Sequence, residues 1–108
     1  MINIIKRPTL LFYREEYPKA ATALDIWYHK FRKQTIKTPQ ELKEKYGSAS
    51  IIGNKRVVFN IMGNRYRLIV KMNYEAKLCY VIWFGTHELY NAINAETIQF
   101  EEHQYIYL

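Results

Sequence analysis

Three apolar segments separated by short turns constrain the fold of this chain more than any other feature. They are NKRVVFNI, RYRLIVKM and KLCYVIWF, and the turns between them are MGN and NYEA. Runs of this length that are rich in Val, Ile, Phe and Tyr and bounded by Gly and Asn are typical of β-strands. Because consecutive strands joined by tight turns pair antiparallel, the sequence predicts an antiparallel sheet.

The first two of these strands each have an apolar side and a polar side, as expected when side chains alternate along a strand. An antiparallel sheet can bury one face and leave the other open to solvent. We therefore expect an open basic face that carries Arg56, Asn60, Arg65, Arg67 and Lys71. The third segment is apolar on both sides, and its pattern does not indicate whether Trp83 joins that face.

Helices are predicted in the N-terminal half, after a first strand in INIIKR. Pro8 and Thr9 are expected to open a short helical stretch, LLFYREEY, which Pro18 stops. A second helix runs from about Pro18 to Lys33, with apolar residues three and four apart. A third helix begins after Thr38, which is followed by Pro39 and by Glu41 at a position suited to a capping box. Gly47 ends it.

The predicted fold class is α/β (α+β), with the N-terminal helices packed on one face of a mainly antiparallel sheet. A chain of 108 residues has the size of one domain, so we expect a single domain over 1–108. No apolar run approaches the roughly 20 residues that span a bilayer. The start MINIIKRP is unlike a signal peptide, and the single Cys79 fits a reducing compartment, so a cytoplasmic protein without membrane contact is expected.

The charge is uneven along the chain. The formal net charge is +6, and residues 54–77 contain six basic and one acidic side chain, whereas residues 78–108 contain no Lys or Arg and four Glu. A concentrated positive field favours an anionic partner, most often a nucleic acid. The same charge also occurs on surfaces that only keep a protein soluble.

A His and a Tyr follow the last strand. In THELYNAIN, Thr86 is a candidate N-cap for a short helix, and His87 and Tyr90 are three apart on one helical face. Taken alone, either residue is more often a surface or packing residue. Their arrival beside a basic sheet face makes them candidate site residues.

The run from Pro18 to Ile93 resembles the HigB toxins, within the RelE-like superfamily of bacterial toxin–antitoxin systems. The resemblance rests on YP…LDIWY, on TPQELKEKYGSA, and on VFNIMGNRYRLI followed by FGTHELY. The tail from Ala95 to Leu108 lies outside it. It implies an mRNA endoribonuclease that acts on ribosome-bound message and inhibits translation. It also implies a cognate antitoxin, often a helix-turn-helix protein, with promoter DNA bound only through the antitoxin complex.

The resemblance also implies roles for particular residues. Arg67 corresponds to an arginine that acts on the scissile phosphate, and His87 and Tyr90 correspond to the C-terminal active-site region. Lys55 and Arg56 correspond to a basic pair that grips the RNA backbone. Contact or turn roles remain for Asn60, Asn64 and Arg65, and Lys71 is a further candidate RNA contact. No acidic base is evident on the basic face, so His87 is the first choice for the general base.

The sequence lacks the signatures of other chemistries. It contains no GxGxxG, no GxxxxGK[ST] and no CxxC, and its three His have no metal-ligand spacing, so no metal or other cofactor is expected. Two other readings remain open. The chain could be a non-catalytic RNA- or DNA-binding module, or an inactive toxin relic that acts through complex formation with an antitoxin.

Overall fold

The structure is a computed structural model that describes residues 1–5 and 7–99. In chain order its elements are β1 (Asn3–Ile5), α1 (Arg7–Glu16), α2 (Ala21–Arg32), α3 (Pro39–Lys45), β2 (Ser50–Ile52), β3 (Arg56–Ile61), β4 (Tyr66–Asn73), β5 (Leu78–Thr86) and α4 (His87–Asn91). A 3₁₀ turn at Pro18–Ala20 precedes α2. Helix α1 begins at Arg7, earlier than the sequence pattern predicts. The pattern also did not predict β2 as a strand of its own.

The five strands form one sheet in the order β1-β5-β4-β3-β2. Strands β2 to β5 pair antiparallel with their neighbours, and β1 pairs parallel with β5. The predicted class, helices against a mainly antiparallel sheet, is confirmed. Within the part of the chain that the structure describes, none of the helices has the length and hydropathy of a membrane span.

The core lies between helices α1 to α3 and one face of the sheet. Leu24, Trp27 and Phe31, which recur at helical spacing, are all buried on α2. The ring of Phe31 lies 5.2 Å from the ring of Trp27 and 5.2 Å from that of Phe59 on β3, measured between centroids. This aromatic cluster packs α2 against one face of the sheet, and α2 does not cover the opposite face.

The start of α3 follows the predicted capping chemistry with one difference. Thr38 Oγ1 accepts a hydrogen bond from Glu41 N at 3.1 Å, as an N-cap does. The Glu41 carboxylate accepts from the backbone N–H of Lys37 at 2.7 Å, one residue before the cap. The reciprocal bond of the box is therefore displaced by one residue.

Strand β5 contains a β-bulge that decides which way its side chains face. Val81 pairs with Val70, but the next pair along β4 joins Ile69 to Trp83, so Ile82 is an extra residue. Side chains alternate along a strand, and one inserted residue exchanges the faces beyond it. Phe84 consequently enters the core, and Trp83 faces away from it.

Candidate nucleic-acid interface

The sheet face turned away from α2 carries four of the five residues predicted for the open basic face, and Arg65, the fifth, lies in the turn before β4 instead. We call this sheet face the second face; its members are Ser50, Ile52, Arg56, Val58, Asn60, Arg67, Ile69, Lys71, Tyr80, Trp83 and Gly85. Residues directly opposite one another in an antiparallel pair project to the same side. Arg67 is opposite Asn60 on β3 and Gly85 on β5, close to the point where β5 passes into α4. The expectation that Arg67 lies away from the long helix is confirmed.

The guanidinium of Arg67 is oriented by neutral acceptors on its own hairpin. Nη1 donates to the carbonyl oxygens of Asn64 at 3.1 Å and Tyr66 at 3.2 Å, and Nη2 donates to Asn64 Oδ1 at 2.6 Å. No carboxylate within 1–5 and 7–99 forms an ion pair with it. The charge of Arg67 is therefore positioned but not neutralised, as a phosphate-binding group requires.

Helix α4 brings His87 and Tyr90 to the Arg67 end of the second face. Thr86 Oγ1 accepts from Leu89 N at 3.2 Å, which confirms the predicted N-cap, and His87 N donates to the carbonyl of Arg65 at 2.9 Å. The Arg67 Cζ lies 5.8 Å from the centroid of the Tyr90 ring, within the range of a cation–π contact. One helical turn thus places the Tyr90 ring beside the oriented Arg67 and the His87 backbone beside Arg65.

Arg56 departs from the expectation that it lies on an open face. Its side chain is only 4% exposed, and Nη1 donates to the carbonyls of Ala95 at 3.0 Å and Ile98 at 2.6 Å. Burial lowers the pKa of the Arg56 guanidinium from its ordinary value. The chain after α4 crosses this part of the sheet and uses Arg56 as its anchor, so the expected RNA contact at Arg56 is at odds with its position.

A second contact ties the same chain segment to the β2–β3 turn. Asn54 Nδ2 donates to the Glu96 carbonyl at 3.0 Å. Val58 and Ile69, in the middle of the second face, are 2% and 0% exposed. The second face is therefore covered in part by residues after α4, and the face that the sequence predicted to be open is accessible mainly at its edges.

The remaining predicted RNA contacts are divided between the two turns that precede and follow β3, at opposite ends of that strand. Lys55 is exposed in the three-residue turn before β3, where Asn54 and Lys55 both have positive φ and Arg56 N donates to the Gly53 carbonyl at 3.3 Å. Arg65 is exposed in the turn after β3. Six strand residues separate these turns, roughly 20 Å at about 3.4 Å per residue. The structure does not bring Lys55 together with the Arg67 end.

Lys71 and Asn60 occupy intermediate positions. Lys71 is half-buried and opposite Arg56, nearer to the Lys55 end, whereas Asn60 is half-buried and directly opposite Arg67. The backbone connects the Lys55 end to β4, since Met72 N donates to the Lys55 carbonyl at 2.8 Å. Two groups of polar side chains result, one around Arg67 and α4 and one around Lys55 and Lys71.

Sequence reasoning missed two features of this site. It gave Asn64 only a turn or contact role, whereas Asn64 supplies two of the three acceptors that orient Arg67. It also did not predict on which face of the sheet Trp83 lies. The spacing of Asn64 and Arg67, three residues apart across a turn, was a signal that could have indicated the first.

The protein is thus a small α+β domain with helices on one face of its sheet. On the other face, an oriented arginine lies beside the short helix α4, which carries His87 and Tyr90. Residues 20–93 match the model of the HigB toxin family, described as the RelE-like toxic component of a toxin–antitoxin system. The chain belongs to this family. The matched range agrees with the run from Pro18 to Ile93 that carries the resemblance.

Individual relatives agree with the family assignment. The chain is 28% identical over 96 residues to the mRNA interferase toxin HigB of Escherichia coli (strain K12), which covers 87% of this chain and 92% of that relative. The mRNA interferases HigB of Escherichia coli O157:H7 and of Shigella flexneri give the same identity and coverage.

Proposed function

We propose that this protein is an mRNA interferase, an endoribonuclease that cleaves messenger RNA on the ribosome and thereby inhibits translation. The observation that carries the proposal is the Arg67 guanidinium, oriented by Asn64 and left without a carboxylate partner among the described residues. The family assignment and the names of the relatives support the same activity.

The proposed reaction uses the RNA's own 2′-hydroxyl as the nucleophile. Its oxygen attacks the adjacent phosphorus, a bond from 2′-O to phosphorus forms, and the bond to the 5′-oxygen breaks. The products are a 2′,3′-cyclic phosphate and a 5′-hydroxyl end. One proton leaves the 2′-hydroxyl and one reaches the departing 5′-oxygen, so the protein must bind the phosphate in line and move two protons.

Arg67 is the proposed electrostatic catalyst. Its fork of donors matches two phosphate oxygens, and its bonds to Asn64 keep the fork aligned before RNA arrives. His87 is the proposed acid or base, since imidazole exchanges protons near neutral pH. The Tyr90 hydroxyl is proposed to assist by hydrogen bonding, because its ring already contacts Arg67.

The exposed cations serve the RNA backbone in this proposal. Arg65 and Asn60 flank the scissile phosphate at the Arg67 end, and Lys55 and Lys71 contact the nucleic acid roughly 20 Å away, a span set by the length of β3. Arg56 is left out of the backbone grip because its side chain is buried against Ala95 and Ile98.

The partners proposed are ribosome-bound mRNA and a cognate antitoxin. A toxic component of a toxin–antitoxin system requires a neutralising partner, which the family description supports. We propose that this antitoxin is a helix-turn-helix protein and that promoter DNA is bound only through the complex.

Cell-free translation tests the activity. A reporter message is translated with and without the protein, and the RNA ends are mapped. We expect new 5′-hydroxyl ends within the translated part of the message and none when translation is blocked before the ribosome assembles. If the intact protein produces no cut in any translated message, the non-catalytic binding module becomes the better description.

A further inference from the structure

The two tryptophans of this chain occupy opposite faces of the sheet. Trp27 is 5% exposed and packs in the core between Phe31 and Phe59. Trp83 is half-buried on the second face, opposite Ile69 in the register. The β-bulge at Ile82 produces this difference, since it exchanges the faces of β5 just before Trp83.

The indole of Trp83 lies directly on the backbone of Gly85. A Cβ placed at Gly85 would come within 2.5 Å of Trp83 Cη2 and 2.7 Å of Trp83 Cζ2. The Gly85 backbone is not in the left-handed region, because Gly63 is the glycine with positive φ in the described chain. Space for the indole, and not backbone conformation, is therefore the reason that residue 85 has no side chain.

This position brings the indole to the proposed reaction centre. Gly85 is opposite Arg67, so the six-membered ring of Trp83 lies in the same row as the arginine. The Trp83 ring centroid is 6.4 Å from that of Tyr90, with the two planes inclined by 48°, and Tyr90 in turn contacts the Arg67 guanidinium. Two tilted aromatic rings and an un-neutralised cation thus converge at one end of the second face.

We propose that Trp83, seated on Gly85 beside Tyr90, forms a stacking site for the nucleobase adjacent to the phosphate that Arg67 binds. The inference rests on the proposed function and extends it to the base. A partly exposed indole offers a flat apolar surface to any base, and stacking on aromatic side chains tolerates different sequences because every base has a π-face. Arg67 would hold the phosphate while Trp83 fixes the rotation of the attached nucleoside, which helps to align the 2′-hydroxyl.

The test uses the fluorescence of Trp83 itself. A short RNA with 2′-O-methyl groups, which cannot be cleaved by the proposed route, is titrated into the intact protein. Stacking of a base on Trp83 should quench its emission, whereas Trp27 in the core supplies a constant background. An abasic oligomer of the same length keeps every phosphate and serves as the matched ligand control.

Two variants accompany the titration. Trp83→Phe keeps an aromatic face and should bind within a few-fold of the parent, whereas Trp83→Leu should weaken binding of the base-containing RNA roughly tenfold to a hundredfold, the range of one stacked base. Trp83→Leu should leave binding of the abasic oligomer unchanged. Thermal unfolding of each variant checks that the fold is retained. Gly85→Ala keeps Trp83 but displaces its indole, so the base-containing RNA should quench this variant less than the parent.

The outcomes separate this inference from the proposed function. Equal quenching by the base-containing and abasic oligomers, or equal RNA affinity of parent and folded Trp83→Leu, overturns the stacking site even if the protein cleaves mRNA. Quenching that requires the base supports the stacking site even if the protein cleaves nothing. Single-turnover cleavage adds a readout: Trp83→Leu should slow the cleavage step, because the nucleoside beside the bound phosphate is no longer held in place.

Discussion

Arg67 and Leu68 are neighbours in β4, yet they lie in opposite environments. Leu68 is fully buried in the core shared with α2, whereas the Arg67 guanidinium lies on the second face, bonded only to neutral oxygens of its hairpin among the described residues. The core face is held by close packing, which resists any change of volume. The second face carries polar side chains, which are expected to contribute to ligand binding more than to the stability of the fold. Two consecutive residues of β4 therefore serve different purposes: Leu68 contributes to stability, and Arg67 is available for the proposed chemistry.

Substitutions of the neighbours Arg67 and Leu68 should have the largest effects, one on the cleavage rate and the other on stability. Arg67→Ala should reduce single-turnover mRNA cleavage by about a hundredfold or more, since an arginine that stabilises phosphoryl-transfer charge contributes on the order of 10³–10⁵ in rate. Its unfolding free energy should change little. Leu68→Ala should lower the unfolding free energy by about 2–5 kcal/mol through loss of packing and a residual cavity. The measurements are cleavage on programmed ribosomes and urea unfolding of the same samples.

Arg67→Lys is the matched control, because it keeps the charge and loses the two-pronged donor. We expect it to recover only part of the cleavage rate. A folded Arg67→Ala variant that cleaves at the parental rate would contradict the assignment of the two faces.

Substitutions in α4 sharpen the division within the second face. His87→Gln should reduce single-turnover cleavage by about a hundredfold or more, on the scale of a positioned acid or base, roughly 10²–10⁴. Tyr90→Phe should have a smaller effect, because it keeps the ring beside Arg67 and Trp83 and removes only the hydroxyl. The readout is the rate and the pH profile of the cleavage step at saturating RNA, and both should differ between His87→Gln and the parent if His87 moves a proton.

The exposed Glu88, next to His87 on α4, provides a control for effects on the helix alone. Glu88→Gln should leave the pH profile unchanged. If folded His87→Gln keeps both the parental rate and the parental profile, the proton-transfer role passes to Tyr90 or a lysine.

The smallest expected effects distinguish Lys55 from Arg56. Lys55→Ala should lower the slope of log K against log salt for single-stranded RNA by about 0.7, the value for one lost phosphate contact. Arg56→Ala should leave that slope unchanged and lower the unfolding free energy by roughly 1–3 kcal/mol, since it removes hydrogen bonds from a buried charged group. Binding is measured over a salt series and stability by thermal unfolding.

The reverse pattern, a salt effect at Arg56 and a stability effect at Lys55, would mean that the chain after α4 does not hold Arg56 when RNA is bound. Lys77→Ala, an exposed lysine in the β4–β5 turn, should change neither quantity and serves as the reference substitution.

The sequence was enough to predict helices α2 to α4, the antiparallel pairing of β3 to β5 and the side of β4 that bears Arg67. These follow from local patterns: helical spacing in α2, the caps at Thr38 and Thr86, and strict alternation in β3 and β4. Such patterns are legible because each residue's partner lies within a few positions along the chain. The sequence also selected Arg67, His87 and Tyr90 as candidate site residues. In the fold, Arg67 pairs with Gly85 near the end of β5, and His87 and Tyr90 lie in α4, which follows directly.

The positions of Arg56 and Trp83 depend on the tertiary fold and could not be predicted from local patterns. Arg56 has the alternation of an open-face residue, but its partners are carbonyls of Ala95 and Ile98, about forty residues away along the chain. Trp83 lies in a strand that is apolar on both sides, and the extra residue Ile82 reverses its face. A long-range contact and a one-residue bulge leave no local periodic signal, because both depend on which strand or segment arrives as the neighbour.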